Sequence, residues 1–533
     1  MGGGLLQLVA MGAQDAYLSG NPQITFWKGL FKRHTNFAME AFRLNFTGQP
    51  NWGTKQSVTV NRNADLLYST YLEVILPHYD LSSAKRKSAV YNNDQFHLGY
   101  NLLKYAELEI GGQLIDRLYG EWMFLWDTLC SSTEKSLVGH QMLSGGGRTQ
   151  VAADVTNNPS RVRGSADGIL DYVDPSGGKN NTLVSATYST ASAGQVFIPG
   201  VPAGCSSGVS GQNNAGHPNI IYVPLNFFYC RNPGAALPLI ALQYHEVKIN
   251  LLWNDNATVS GDYVNVPIPA QPSQASIYVD YIYLDVDERR RMAQESHEYL
   301  IEQVQYNEDK GISVINNRID LTFNHPVKEL IWVVQPTCYR SCKVPIPGTA
   351  GTPAAAVPAV GARTPTLNKN RLTPFTYDQN AVRVQHLQIN GQDRFDHRYG
   401  DYFNKVQPYQ HHTGITQTEF LDFRAPGANI GTSVTATPGS GTATGTVTCL
   451  NASLGMLPQP AIYSYSFALK PEEHQPSGTC NFSRIDTATL VMQLSGDVTV
   501  GAANDATWDV RVYALNYNIL RIMSGMAGLA YSN

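Results

Sequence analysis

Histidine residues are the first candidates for chemistry in this 533-residue chain, because imidazole nitrogens readily bind zinc. His245 and His297 are each followed by Glu, as in the zinc-protease helix pattern, but neither has a second His at the required fourth position. His411 and His412 are adjacent, so in an extended segment they point to opposite faces, which hinders joint binding of one metal ion. We therefore predict two polar surface or interface histidines and no metal site.

Cysteine spacing and glycine runs also fail to complete a known site. Cys338 and Cys342 lack a companion pair at zinc-finger spacing, which predicts two free thiols near a strand end. Gly145–Gly147 precede Arg148 instead of the Gly-Lys-Ser/Thr of a Walker phosphate loop. The seven cysteines are odd in number and scattered, which is typical of a reducing compartment with mostly free thiols.

One carboxylate pair has a spacing that raises the question of glycosidase chemistry. Glu107 and Glu109 share a strand face, but a glycosidase also needs a cleft with the carboxylates about 5–10 Å apart, so we predict a solvated face. A β-sandwich lectin would concentrate aromatic residues on one loop face, whereas the 10% aromatic residues are spread along the predicted strands. The sequence therefore predicts a protein that is not an enzyme and has no cofactor, with lectin and glycosidase as the alternatives.

Asparagine sequons suggest a possible modification rather than a catalytic site. The Asn-x-Ser/Thr pattern is short, and without a secretory signal it is weak. We keep Asn180, Asn256 and Asn451 as candidates for surface glycosylation by a non-secretory route, and Asn180 and Asn451 fall in predicted loops. The same pattern also occurs at Asn45 and Asn481.

Charge and hydropathy argue against nucleic acid or a membrane span as the main target. The chain has 38 Lys+Arg against 42 Asp+Glu, and nucleic-acid affinity depends on clustered basic residues. The best basic cluster, Lys28, Lys32, Arg33 and His34, is predicted to be a solvated or inter-subunit face. We expect neither a membrane span nor a signal peptide, since no apolar stretch approaches the roughly 18–20 residues that a span needs.

The elements that position these residues are repeated along the chain. Residues 108–122, LEIGGQLIDRLYGEW, recur at 387–402 as LQINGQDRFDHRYGDY. Further pairs follow in the same order: 71–77 with 330–336, 221–228 with 462–467, 246–251 with 489–494, and 277–284 with 508–515. Self-similarity of this extent predicts two copies of one domain.

The pattern between turn signals is β throughout, with aromatic and β-branched runs separated by Gly, Pro, Asn and Ser. Two helices are predicted, at Glu121–Cys130 and, more polar, at Asp287–Glu302. The predicted organisation is an arm at 1–24, a first copy at 25–286, a connector at 287–312, a second copy at 313–517 and a tail at 518–533. Long loops are predicted at about 144–218, 344–373 and 425–455.

Several long motifs resemble one protein family. The sequence is similar, from the arm to the last residues, to the major capsid proteins of nucleocytoplasmic large DNA viruses, above all those of algal and amoebal large icosahedral viruses. The motifs that carry this resemblance are QLVAMGAQD (7–15), GNPQITF (20–26), RHTNF (33–37), LPLIALQYHEV (237–247), FNHP (323–326), QPSGTCNFSRI (475–485) and LRIMSGMAGLAYS (520–532).

The resemblance implies an all-β fold of two tandem eight-stranded jelly-roll β-sandwiches with long loops and a few short helices. It also implies a homotrimer with a pseudo-hexagonal outline, which tiles the icosahedral shell of a virion assembled in the host cytoplasm. The 144–218 and 425–455 loops would face outward. The 1–24 arm would lie inside, near minor capsid proteins or an internal membrane. Penton proteins would be further partners, with no direct contact to nucleic acid.

Overall fold

Two β-sandwiches follow one another along the chain in the computed structural model, which describes residues 3–27, 29, 31–76, 98–132, 135, 139, 142–143, 219–255, 271–272, 274–312, 316–336, 381–414, 462–494 and 508–531. The predicted all-β fold is confirmed, and buried apolar side chains from both sandwiches join in one continuous core. The predicted long loops at 144–218, 344–373 and 425–455 lie outside the described residues.

The first sandwich consists of two antiparallel sheets. Its strands are β1 (Phe37–Asn45), β2 (Lys55–Val60), β3 (Leu66–Leu76), β4 (Leu103–Ile110), β5 (Gln113–Tyr119), β6 (Asn219–Pro224), β7 (Leu237–Pro238), β8 (Val247–Trp253) and β9 (Gln274–Leu284). One sheet has the order β1-β9-β3-β6, with β7 also on β3, and the other has the order β2-β8-β4-β5. Each sheet thus mixes strands from early and late in the sequence, which is the jelly-roll arrangement.

The second sandwich repeats this order. Its strands are β10 (His297–Ile312), β11 (Asn316–Asp320), β12 (Pro326–Pro336), β13 (Val382–Ile389), β14 (Gln392–Asp393), β15 (Arg398–Tyr399), β16 (Ile462–Ser466), β17 (Cys480–Asn481), β18 (Ala488–Leu494), β19 (Trp508–Met523) and β20 (Met526–Leu529). The sheets run β10-β19-β12-β16, with β17 on β12 and β20 on β19, and β11-β18-β13-β14, with β15 on β13. Every repeated sequence pair occupies equivalent strands.

The duplicated motif forms the same hairpin in both sandwiches. The turn between β4 and β5 is Gly111-Gly112, with φ of 58° and 84°, and the turn between β13 and β14 is Asn390-Gly391, with φ of 49° and 77°. Two consecutive residues at positive φ match the right-handed twist of the paired strands, and Gly and Asn tolerate this conformation best. The turn chemistry of the sequence therefore sets the register of both hairpins.

Helices are short and mostly lie between strands. They are α1 (Gly3–Val9), α2 (Asp15–Ser19), α3 (Leu98–Leu102), α4 (Gly120–Cys130), α5 (Phe228–Arg231), α6 (Val286–Gln294) and α7 (Gln407–His411), with a π-helical turn at Tyr402–Val406. The helix predicted at Glu121–Cys130 is confirmed as α4. The helix predicted at Asp287–Glu302 is wrong beyond Gln294, because His297 begins β10, which pairs with β19 from His297↔Ile522 onward.

Two segments predicted to lie outside the sandwiches, a connector and a tail, contain strands of the second sandwich. The sequence predicts a connector at 287–312 and a tail at 518–533, but residues 297–312 form β10 and residues 518–529 continue β19 and add β20. The polar residues of β10 resemble a linker because part of the strand is exposed. Pairing with a distant strand, rather than local composition, makes both segments part of the six-stranded sheet.

Candidate functional site

The contact between the two sandwiches is the most elaborate polar site in the described part of the chain. It centres on Glu121, in the first turn of α4, and Arg511, in the middle of β19. Arg511 Nε donates to Glu121 Oε2 at 2.6 Å, and Arg511 Nη2 donates to Glu121 Oε1 at 2.5 Å. The hydroxyl of Tyr513 donates to the same carboxylate at 2.6 Å. A two-pronged ion pair of this kind fixes orientation as well as distance.

Burial makes this ion pair sensitive to the loss of either partner. The Arg511 side chain is 4% exposed and the Glu121 side chain 17% exposed. Burial alone would lower the pKa of Arg511, but the Glu121 carboxylate outweighs it and raises that pKa above its usual value. Burial, followed by Glu121, likewise raises the pKa of Tyr513. Arg511 therefore keeps its positive charge, and Tyr513 keeps its proton, inside the contact.

Strand β10 supplies a second set of contacts to the first sandwich. The backbone N–H of Val304 donates to Asp116 Oδ1 at 3.2 Å, and the Gln303 amide donates to the carbonyl of Ile115 at 2.5 Å. Burial raises the pKa of Asp116 to about 7, although the two backbone donors and Arg231 favour its charged form. The edge of the first sandwich is thus bonded directly to the second.

A third contact joins α5 to the buried polar groups of the second sandwich. Arg231 Nη1 donates to Glu302 Oε2 at 2.7 Å, and the fully buried Lys328 donates to Glu302 Oε1 at 2.5 Å. The Arg231 guanidinium also lies 4.8 Å from the ring of Trp126. Glu302 is therefore shared by one cation from each sandwich.

Aromatic rings fill the space beside these polar groups. Tyr119 lies 4.8 Å from Tyr306, ring centroid to centroid, and Trp122 lies 5.5 Å from Tyr513. Aromatic pairs contribute about 0.5–1.5 kcal/mol each beyond their buried area. Together with the ion pairs they hold the two sandwiches in one fixed relative orientation.

The sequences of known families match this chain over almost its whole length. The family model described as the major capsid protein N-terminus matches residues 25–285. The model described as the large eukaryotic DNA virus major capsid protein matches residues 288–421 and 449–528. The chain belongs to the major capsid protein family of large eukaryotic DNA viruses.

Curated relatives and solved structures agree with this assignment. The chain is 41% identical to the major capsid protein of Pyramimonas orientalis virus and 40% identical to that of Phaeocystis pouchetii virus, with full coverage of both partners in each case. It is 31% identical to the chain in the quasi-atomic model of the PBCV-1 virus capsid, with a TM-score of 0.62. That match covers 96% of this chain and 100% of the PBCV-1 chain. This capsid protein is therefore a structural component of the virion shell.

Three of the histidines that the sequence analysis examined make ordinary structural hydrogen bonds in the capsid protein. His297 Nε2 bonds to the carbonyl of Met292 at 2.8 Å, and His245 Nδ1 accepts from the Ala527 N–H at 3.1 Å. His411 Nδ1 bonds to the carbonyl of Leu469 at 3.2 Å. These histidines lie in separate places and do not form one site.

The prediction of a polar surface or interface histidine is wrong for His412. Its side chain is fully buried, because the segment after α7 folds against the end of α4. His412 Nε2 lies 2.5 Å from Glu329 Oε1, and His412 Nδ1 lies 3.2 Å from Glu472 Oε1. Burial alone would lower the pKa of His412, but Glu329 and then Glu472 raise it to about 9. A buried charged histidine between two carboxylates replaces the predicted polar surface residue.

The solvated-face prediction is wrong for Glu107. Glu107 is 4% exposed and pairs with Lys55 at 2.7 Å and with Arg117 at 2.6 Å. Its neighbour on the same face, Glu109, accepts from the Asn250 amide at 2.9 Å. Cross-strand cations and amides occupy these carboxylates, which is a structural arrangement rather than a pair of groups facing a sugar.

Several other predicted residues are exposed or lie outside the described part of the chain. Lys32, Arg33 and His34 are exposed. The residues outside the described part are Lys28, Gly145–Gly147, Arg148, Asn180, Asn256, Cys338, Cys342 and Asn451. Asn45 and Asn481 are both exposed, and no helix among the described residues is long and apolar enough to cross a membrane.

The residues of the contact between the sandwiches were missed by sequence reasoning. One signal was present: Arg511 is a charged residue in the apolar strand WDVRVYAL, where it demands a buried partner. The partner could not be named because Glu121 lies 390 positions away in sequence. Only the docking of the sandwiches brings the two together.

Proposed function

We propose that three copies of this capsid protein associate into a trimer with a pseudo-hexagonal outline, and that these capsomers tile the faces of an icosahedral shell. The observation that supports this proposal is a contact made once within the chain. Strand β5 of the first sandwich packs on β10 of the second. The equivalent surfaces at the two outer ends, β14 with β15 and β1, are exposed.

Apolar side chains at these outer ends fit a repeat of the contact between neighbouring chains. Phe37 and Met39 on β1 are 58% and 49% exposed, and Tyr399 on β15 is 72% exposed. Tyr399 is the counterpart of Tyr119, which packs on the second sandwich within the chain. Closing the same type of contact three times gives a ring of six sandwiches from three chains.

Mass in solution tests this proposal. Light scattering on the purified capsid protein should give about three times 58.5 kDa. Tyr399→Asp should shift the mass toward the monomer, since it places a charge in an apolar contact, whereas Tyr17→Asp in the arm should leave the trimer intact. A wild-type monomer at high concentration, or a Tyr399→Asp trimer, contradicts the proposed interface.

The arm is proposed to lie on the inner side of the shell, against minor capsid proteins or the internal membrane. Helices α1 and α2 contain no buried residue, and Leu8, Val9 and Leu18 are each more than two-thirds exposed. Exposed apolar groups of this density mark an interaction surface. Protease treatment of intact particles should spare the arm and cut the 144–218 or 425–455 segments, which we propose to face outward; the reverse result contradicts both placements.

Surface glycosylation at Asn180, Asn256 and Asn451 is proposed as a further property of the outer face. Asn180 and Asn451 fall in segments predicted to be long loops, where a bulky glycan can be accommodated. Peptide mass spectrometry of virion-derived protein should find modified peptides at these positions and unmodified Asn45, which ends β1. Unmodified peptides at all three positions contradict this proposal. Penton proteins as partners and assembly in the host cytoplasm are proposed from the family alone.

A further inference from the structure

Three side chains with metal-binding atoms converge where α4 meets the second sandwich. Cys130 is the last residue of α4, His412 follows α7, and Glu472 lies after β16. One ligand atom from each lies within 4.8 Å of the other two. The ligand atoms around a tetrahedral zinc ion, at bond lengths of about 2.0–2.3 Å, lie about 3.3–3.6 Å apart. Small side-chain movements therefore suffice to reach this geometry.

The histidine is already oriented as a zinc ligand is. His412 Nε2 donates to Glu329 Oε1 at 2.5 Å, which leaves Nδ1 facing Glu472 at 3.2 Å. Metal-binding histidines almost always donate their other N–H to a carboxylate or carbonyl, which fixes the ring and raises its basicity. Glu472 is held in turn by the Thr413 N–H at 2.8 Å and by the Thr413 hydroxyl.

Excess negative charge beside the cluster favours a cation. Glu329 is completely buried, and its second oxygen, Oε2, has no hydrogen-bond partner among the residues that the structure describes. A divalent cation would compensate both carboxylates and stabilise the thiolate.

The backbone around the cluster is tightly docked. The Gly414 N–H donates to the carbonyl of Leu129 at 2.6 Å, and a Cβ at Gly414 would lie only 2.3 Å from the carbonyl oxygen of Thr128. The segment that carries His412 therefore lies directly against the end of the helix that carries Cys130. Ligands from the two sandwiches are held in place before any ion binds.

We propose that Cys130, His412 and Glu472 bind a zinc ion, with Glu329 as the positioning residue for His412, and that the ion ties the two sandwiches together. Thiolate and imidazole ligands select zinc over magnesium or calcium, which prefer oxygen ligands alone. Water takes the fourth position. Binding releases one proton from the Cys130 thiol and one from His412 Nδ1, so the net charge of the cluster is unchanged.

Metal analysis of the full-length protein tests this proposal. Protein expressed with zinc and dialysed should contain one zinc ion per chain, and Co²⁺ should produce the near-ultraviolet absorption of a cobalt–thiolate bond. Cys130→Ser should abolish this absorption and lower zinc affinity more than 100-fold in competition with a chromophoric chelator. Cys480→Ser, which removes a free cysteine elsewhere in the second sandwich, is the matched control and should change neither result.

A further variant keeps the test decisive if Cys130→Ser fails to fold. Glu329→Gln retains the hydrogen bond to His412 but removes the charge, and should lower zinc affinity about 10–100-fold. The proposal is overturned if folded wild-type protein shows no cobalt–thiolate absorption. It is also overturned if Cys130→Ser and Glu329→Gln retain full zinc binding, which would point instead to the group formed by the buried His386 with the exposed Asp393 and His397.

Discussion

The two copies of the duplicated hairpin differ most in what covers them. In the first copy, the ring of His245 lies against Gly111, and its Nδ1 accepts from the N–H of Ala527 in the other sandwich. In the second copy, Asn390 Oδ1 accepts from the N–H groups of Asp486 and Thr487 in the same sandwich. The β4–β5 hairpin therefore contacts the other sandwich. The β13–β14 hairpin is held within its own sandwich by the side chain of Asn390.

The same contrast extends to the charged residues. Glu121 and its partner Arg511 correspond, through the sequence repeat, to Asp401 and Asp280. A contact between these two acidic residues in neighbouring chains cannot reproduce the ion pair, so the contact that we propose between chains would differ in its electrostatics from the contact within the chain. We infer that duplication of the domain supplied the repeated geometry, and that the Glu121–Arg511 pair then stabilised the contact within the chain.

Removal of the buried carboxylate should have the largest effect. Glu121→Ala leaves Arg511 charged and buried, and should lower the free energy of unfolding by about 3–5 kcal/mol. Urea denaturation followed by intrinsic fluorescence measures this loss. Glu298→Ala, which breaks the exposed pair with Arg521, is the control and should cost less than about 1 kcal/mol. Equal losses of unfolding free energy in the two variants would show that Glu121 does not hold the two sandwiches together.

Truncation of equivalent aromatic residues compares the two copies directly. Trp122 is 1% exposed and packs on Tyr513, whereas its counterpart Tyr402 is only partly buried. Trp122→Ala should cost about 3 kcal/mol or more, near the usual cost of a large core deletion, and Tyr402→Ala should cost about half as much. Thermal unfolding of both variants measures the difference. A larger cost at Tyr402 would reverse our ranking of the two sites.

Alanine in the two turns separates backbone strain from steric contact. At Gly391 the φ is +77° and the space for a Cβ is open, so Gly391→Ala should cost about 1–2 kcal/mol. At Gly111 the same strain is joined by a Cβ only 2.4 Å from the His245 ring, so Gly111→Ala should cost about 1 kcal/mol more. Denaturation midpoints of the two variants test this order. Similar values would mean that His245 moves aside easily.

A pH dependence of stability should arise from Asp116, the buried copy of the shared aspartate. Burial raises the folded-state pKa of Asp116 from 3.8 to about 7, against the opposing effect of Arg231 and with the help of Glu302. The folded state therefore holds this proton more tightly, so the stabilisation is complete below about pH 4 and is lost as the pH rises through 7. The loss is at most about 1.4 kcal/mol per pH unit.

Asparagine substitution isolates this contribution. Asp116→Asn keeps an oxygen acceptor for the Val304 N–H but removes the titration, so its stability should fall less than that of wild type between pH 5 and 7. Asp396→Asn, at the exposed counterpart, is the matched control for the substitution itself. Unfolding free energies measured across this range decide the matter. A wild-type profile in Asp116→Asn would assign the pH dependence to other groups.

Much of the fold follows from local sequence signals. Asn390-Gly391 and Gly111-Gly112 specify the two hairpin turns, and the acidic, aromatic pattern of Glu121–Cys130 specifies α4. Strand β10 was hidden because its polar residues resemble a linker, and it becomes a strand only through pairing with β19. Local rules succeed where the nearest neighbours in sequence are also neighbours in space.

The sequence by itself determined that the domain is duplicated, that it is all-β and that it belongs to a capsid family. These features depend on repeats and long motifs, which consist of residues that are neighbours in sequence. Tertiary structure alone decided that His412 is buried beside Cys130 and that Arg511 meets Glu121. These groups come from opposite halves of the chain. Their burial and charge depend on how two finished sandwiches dock, which no local pattern encodes.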